Sequence, residues 1–391
     1  MRNRTPVERL ALAVGAAVFL DTMFYAVIAP LLPQLSHELA LSKLSAGVLT
    51  ASYPAGMLIG SFPGSALSVR TGPRFTVCTG LTLLALTTVA FGWLNSAWSL
   101  DLARFMEGLA GACSWAGGIA WLVAASDHRE RGSVIGRALA AAIGGGLFGP
   151  AVGALASALG RGPLFTVLAV SALALAALVR MLPDQSESSD QGVFEVVREM
   201  RRPPILGGLW LMGLPAIVSG AMNLLAPLQL HRFGAGAGVI GATFLVASAI
   251  EAAISPPVGR FSDRHGRLGP MRLGLLALVV MLACFTLPSA AWLLCLLLVA
   301  LFSVLGVFWT PAMALLSDIS HQYGIDQAHG AALMNLAWAL GQIVGSACGG
   351  AAAKAFGDAV PTLFVAGLCL LTFAAIRTRT TAGSPAPHPQ G

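Results

Sequence analysis

Four ionisable side chains lie inside long apolar runs of this sequence: Asp21, Arg104, Glu107 and Glu251. Three are acids and one is a base, so one internal ion pair still leaves two carboxyl groups to be explained. Arg104 and Glu107 fall at i and i+3, on one face of a helix, which makes a structural ion pair the plain reading for those two. A carboxyl group shut away from water escapes the cost of its charge by binding a proton. An acid that is neutral when enclosed and ionised when wetted has the chemistry needed to move protons as a cavity opens and closes. Asp21 and Glu251 are candidates for that role, and Glu251 has a second reading as a hydrogen-bonding contact between helices. Tyr25 lies one turn beyond Asp21 on the same face, and Trp115, Trp309 and Trp338 fall in mid-helix. These aromatics are candidates to line a cavity for a lipophilic or aromatic molecule, with packing as the commoner fate of such residues.

The elements that must hold these groups follow from composition. Hydrophobic residues make up 56% of the chain and charged residues 10%, with a mean hydropathy of +0.79. A soluble domain is about one-quarter charged, so this chain belongs in lipid. Hydropathy separates twelve apolar segments, near 10–32, 46–68, 73–94, 98–125, 134–159, 162–182, 205–229, 237–258, 271–288, 291–316, 331–353 and 360–376. Most reach the roughly 20 residues that a helix needs to cross a bilayer, and they are too long and evenly apolar for barrel strands. Asp21 lies near the middle of the first segment, where an acid costs about 2.5 to 3.5 kcal/mol on insertion scales. Such a residue faces a cavity or a partner.

The chain also repeats itself. Ala29-Pro30-Leu31 recurs as Ala226-Pro227-Leu228, offset by 197, and the ladder Gly145, Gly149, Gly153 recurs as Gly341, Gly345, Gly349, offset by 196. Parallel repeats of this kind build a polar site at their shared interface near the bilayer midplane. The expected fold is therefore all-α: a membrane protein of twelve transmembrane helices in two six-helix pseudo-symmetric bundles. The bundles are expected over 1–182 and 205–380. A polar linker over 183–204 joins them, with Val193, Val196, Val197 and Met200 on one face of a short surface helix, and a disordered tail occupies 381–391.

Charge orients the bundle. With a cytoplasmic N-terminus only Lys43, Arg161, Arg232 and Lys354 of the 23 basic residues fall outside, so the positive-inside rule places both termini in the cytoplasm of a bacterial-type inner or plasma membrane. The basic balance is then topology, and no nucleic-acid partner is expected. Trp93, Trp98 and Trp292 stand at outer helix ends, where an interfacial belt would put them. The six cysteines lie in apolar segments without metal spacing and read as small hydrophobes. The histidines lack metal-ligand spacing, so neither a metal nor a cofactor is expected. The first apolar run is too long for a signal sequence, carries Asp21 at its centre and has no small-residue cleavage site, which makes it a retained helix.

One motif is a decoy. Gly144 to Gly149 satisfies G-x-G-x-x-G but lies inside an apolar helix rather than after a strand, which excludes a dinucleotide site. In helical geometry Gly145, Gly149 and Gly153 form a ladder that lets backbones approach closely, and Pro150 invites a kink. There is no phosphate-binding G-x-x-x-x-G-K-[ST], so the chain carries no ATP-driven motor of that type. Clustered His, Asp or Ser residues at one membrane level are also missing, and the chain does not read as an enzyme.

Gly259, Asp263, Arg264, Gly266 and Arg267 spell G-x-x-x-D-R-x-G-R between the eighth and ninth segments, which resembles the loop signature of the major facilitator superfamily. Arg104-Phe-Met-Glu107-Gly108 resembles that family's fourth-helix R-F-x-x-G motif. Gly145-x-x-x-Gly149-Pro150-x-x-Gly153 resembles its fifth-helix antiporter motif, and Leu20-Asp21 with Pro30-Leu-Leu-Pro33 is similar to the first helix of its twelve-helix drug:proton antiporters. The resemblance implies a secondary transporter, a proton-coupled exporter of a small lipophilic molecule working by alternating access, with protons, the substrate and the bilayer as partners and the monomer as the working unit. The alternative is an importer or symporter with the same fold. It implies that Asp21 takes part in coupling, that Arg104 tunes it, that Gly149 and Pro150 seal the cavity, and that Asp263 acts as a latch. Two departures stand out. Val69 occupies the acid's place in the first-half copy of the loop, and Glu107 replaces the usual glutamine beside Gly108.

Overall fold

A computed structural model of the chain describes residues 6–126, 131–184, 201–325 and 327–382. The expected helical face at Val193, Val196, Val197 and Met200, and the tail from residue 383, lie outside these described residues. All regular structure among them is helical.

The first half comprises α1 (Pro6–Ala26), α2 (Ile28–Glu38), α3 (Lys43–Thr71), α4 (Pro73–Trp93), α5 (Ala97–Ala125), α6 (Arg131–Leu159) and α7 (Arg161–Arg180). The second comprises α8 (Pro203–Arg232), α9 (Ala237–His265), α10 (Leu268–Ala283), α11 (Ala291–Gln322), α12 (Gln327–Ile343), α13 (Gly349–Phe356) and α14 (Ala359–Ala382). The first span, α1 with α2, is broken at Val27. Pro30 is the cause: it has no N–H to offer the Ala26 carbonyl four residues back, and its ring crowds that carbonyl. The eleventh span contains a π-helical turn, Val344–Cys348, between α12 and α13. With these two interruptions the fourteen helices among the described residues make twelve spans.

Ten of the spans are long and apolar enough to cross a membrane by length and composition. The other two are α10, with only 16 residues, and α3. α3 is covered by protein on several sides, by α5 within its half and by α12, the π turn and α13 of the other half. Its Gly- and Ser-rich sequence suits those close contacts better than lipid.

The halves repeat each other in detail. α6 lies along α1, and the eleventh span lies along α8 in the same way. Gly160 and Gly357 are offset by the repeat length of 197 and have φ of +93° and +88°, a left-handed conformation that only glycine adopts without strain. Between the halves, α2 packs on α8 and α9, α6 on α9, and α3 on α12 and α13. The buried core runs without interruption from Phe24, Ile28 and Leu31 of the first half to Val218, Leu224 and Leu225 of the second.

The two ends of the molecule differ. At one end the Asp358 carboxylate, between α13 and α14, pairs with Lys43 of the first half and with Arg232 of the second, the latter at 3.0 Å. Gly47 and Gly350 meet there backbone to backbone. At the other end, the ion pairs between described residues stay within one half: Arg74 with Asp184 at 3.7 Å, and Arg267 with Asp263 and, at 3.1 Å, with Asp318.

Candidate functional site

Asp21 is fully buried on α1. Its Oδ1 accepts a hydrogen bond of 2.8 Å from the Tyr53 hydroxyl of α3, and its Oδ2 accepts one of 3.0 Å from the Trp115 indole N–H of α5. Three helices thus converge on one carboxyl group. α5 can come this close because residue 111 is glycine: a Cβ there would collide with Asp21 Oδ1 and stand 2.8 Å from the Tyr53 oxygen.

Arg104 lies beside this cluster, also fully buried, and its guanidinium stands 5.2 Å from the centre of the Tyr53 ring. One nitrogen, Nη1, donates to Glu107 at 2.9 Å and to the Phe24 carbonyl at 2.6 Å, and Nη2 donates to the Tyr25 carbonyl at 3.0 Å. Phe24 and Tyr25 lie just before the break at Val27. The interruption made by Pro30 therefore becomes the place where α5 grips α1. Glu107 is buried, and the ion pair expected from its spacing forms. Buried charges of opposite sign hold each other when hydrogen-bonded in this way.

Tyr25 carries the cluster to the other half. Its ring centre is 5.2 Å from that of Tyr53 and 5.2 Å from that of Trp338 on α12, and its hydroxyl accepts a hydrogen bond of 3.2 Å from the Asn223 amide of α8. Trp338 and Trp309 pack on a common apolar cluster around Met212, Leu316 and Ala337. Tyr25, Trp115, Trp309 and Trp338 are all partly exposed although they fall in mid-helix.

The structure brings together Asp21, Tyr25, Arg104, Glu107 and Trp115 and leaves Glu251 apart. Glu251 is partly exposed on α9, packed against Gly306 of α11, and among the described residues no hydrogen bond or ion pair reaches its carboxylate. The glycine ladder does what its spacing suggests: a Cβ at Gly145, Gly149 or Gly153 would run into the α1–α2 backbone at Phe19, Met23 or Val27. The Pro150 carbonyl meets Gly241 of α9, at the contact between halves. Gly259, Asp263, Arg264, Gly266 and Arg267 lie at the turn between α9 and α10, where Arg267 bridges Asp263 and Asp318. In the first-half copy of that turn, where Val69 replaces the acid, the Asp184 carboxylate accepts from the Arg74 backbone N–H at 3.4 Å and faces its guanidinium, taking the acid's place from a different element.

Three residues of the site were not among the sequence candidates: Tyr53, Gly111 and Asn223. A signal existed for Tyr53, one of only three tyrosines in the chain, lying in mid-span before Pro54. Asn223 is the one asparagine of its apolar run. Gly111 is one of 45 glycines, and nothing in the sequence distinguishes it.

A buried carboxyl group at the meeting of three helices, an aromatic bridge to the second half and twelve spans in two repeats define a secondary transporter fold. The chain belongs to the Major Facilitator Superfamily, whose family model matches residues 14–324 and 216–391. It is thus an integral membrane transporter and not an enzyme. It is 27% identical over 274 residues to YcaD of Escherichia coli O139:H28, an MFS-type transporter itself described as uncharacterized, covering 68% of this chain and 69% of that one. In fold it is similar to a bacterial homologue of the human lysosomal transporter Spinster in an inward-facing, unoccupied conformation, with a TM-score of 0.79 at 14% identity over 98% of this chain and 100% of that one. It is likewise similar to a D-xylose–proton symporter, with a TM-score of 0.77 at 16% identity over 95% and 97% of the two chains.

Proposed function

We propose that this chain is a proton-coupled exporter of a small lipophilic molecule, working by alternating access as a monomer with both termini in the cytoplasm. The observation that carries the reading is Asp21: an acid with no exposure, in mid-span, held by one hydrogen bond on each oxygen and separate from the Arg104–Glu107 pair. A charge in that position is expensive, and proton uptake relieves it. Residues 1–182 and 205–380, joined by 183–204, are the units that rock about the site. The partly exposed Tyr25, Trp115, Trp309 and Trp338 support a lipophilic substrate, since they offer flat apolar surface with few polar groups.

The test is a growth-protection and efflux panel of lipophilic cations, neutral antibiotics and sugars, in an efflux-deficient bacterium expressing wild type or Asp21→Asn at equal membrane levels. Protection by wild type, abolished by an uncoupler and lost in Asp21→Asn, is the expected result. Undiminished, uncoupler-sensitive export by Asp21→Asn would move the coupling role to Glu107 or Glu251. Accumulation of a sugar in place of export would reverse the direction.

A further inference from the structure

We infer that the proton taken up by Asp21 resides on Oδ1, the oxygen facing Tyr53, and that Tyr53 is the positioning residue that ties proton loading to opening of the site. The inference rests on the proposed role of Asp21 and adds to it a location and a partner.

The two oxygens of Asp21 have partners of different chemistry. Oδ2 faces the Trp115 indole N–H at 3.0 Å. An indole nitrogen donates and cannot accept, so a proton on the Oδ2 lone pair that faces Trp115 would meet another hydrogen and would find no acceptor there. Oδ1 faces the Tyr53 hydroxyl at 2.8 Å, and a phenol oxygen both donates and accepts. Toward the ionised carboxylate Tyr53 donates. When a proton adds to a lone pair of Oδ1, the hydroxyl turns its own hydrogen away and accepts from Oδ1–H, while Oδ2 remains a carbonyl oxygen bonded by Trp115. Gly111 leaves both Oδ1 and the Tyr53 oxygen free of a side chain on that face.

The reversal has a consequence for the conformation. Tyr53 is 1% exposed, and among the described residues its hydroxyl has no partner besides Asp21. Once turned, its hydrogen has no acceptor within hydrogen-bond reach among the described residues, and the neighbouring Arg104 guanidinium, already tied to Glu107 and two carbonyls, is only a donor. A buried donor without an acceptor is costly. Proton uptake relieves the cost of the buried charge, but it leaves the turned Tyr53 hydrogen without an acceptor until water or a substrate acceptor reaches it, so loading the proton favours access to Tyr53. The Tyr53 ring also lies against that of Tyr25, tilted by 44°, and the Tyr25 hydroxyl bonds Asn223 of the second half, so the residue that must turn lies against the contact between the halves.

Infrared difference spectra of the full chain in liposomes, taken between acidic and alkaline buffer, report the protonated carboxyl C=O stretch. Asp21→Asn identifies the band that belongs to Asp21. If the proton is on Oδ1, the carbonyl oxygen is Oδ2, so Trp115→Phe removes its hydrogen bond and moves the band to higher frequency, while Tyr53→Phe leaves the band nearly in place. If Tyr53→Phe moves the band as much as Trp115→Phe or more, the placement is wrong although Asp21 still binds a proton. If Asp21→Asn removes no band, both the placement and the proton role of Asp21 fall. Size-exclusion profiles matching wild type qualify each variant for the comparison.

Discussion

Arg104 and Glu107 form a pair that is costly to break and cheap to replace. Removing one partner strands the other as a buried charge, at a cost of about 3 kcal/mol or more, whereas replacing both with apolar side chains of similar size is often neutral. Arg104 has a further duty, since it holds the Phe24 and Tyr25 carbonyls beside the break in the first span. Arg104→Met is expected to lower the melting temperature of the detergent-purified protein sharply, and Arg104→Met with Glu107→Met to recover part of the loss but not all. Full recovery would mean that the grip on α1 contributes nothing. This pair was legible in the sequence because i, i+3 spacing is a local relation. The Asp21 partners were not, because Tyr53 and Trp115 lie 32 and 94 residues away and only the crossing of α1, α3 and α5 makes them neighbours.

The glycine ladders show what a helix needs in order to cross another at backbone distance. Gly145 abuts Phe19, Thr22 and Met23 of α1, while Gly146, the next residue on the same helix, has open space around its missing Cβ. Gly145→Ala overpacks the contact, at a cost of about 1 to 3 kcal/mol. Gly146→Ala gains up to about 1 kcal/mol of helix propensity. Thermal melts of the two variants should therefore move in opposite directions, and equal losses would show that the ladder is not the cause. The sequence revealed the ladder's period but not where its second copy departs. Gly341 and Gly345 abut α8 as Gly145 and Gly149 abut α1, yet a Cβ at Gly349 would meet Ala221 only at an ordinary 3.8 Å. The π turn at Val344–Cys348 accounts for this, since the extra residue in that turn rotates α13 relative to α12. Gly350 then faces Gly47 across the halves. No residue type in that stretch announces a π turn.

At the scale of the molecule, the distribution of charge bears on how the two halves are fastened at one end. Lys43, Arg161 and Arg232 run against the charge bias of the chain, and each has an acid: Asp358 takes Lys43 and Arg232, and Glu38 lies 3.6 Å from Arg161. The sequence marked these three as exceptions but could not pair Lys43 with a residue 315 positions away. Of these pairs only Lys43–Asp358 crosses between halves, whereas Arg232–Asp358 lies within the second. A partly exposed ion pair is worth about 1 kcal/mol or less, enough to change the ratio of two conformations by up to about fivefold. Spin labels at positions 94 and 287, in a background without the native cysteines, report the separation of the halves at this end by electron–electron distance measurement. Lys43→Asn and Asp358→Asn are expected to enlarge the long-distance population, and Arg232→Asn to leave it unchanged, because its bond holds no second body. An equal response to Arg232→Asn would show that the net charge of the rim sets the balance, and no response to any of the three would leave the Gly47–Gly350 contact as the fastening.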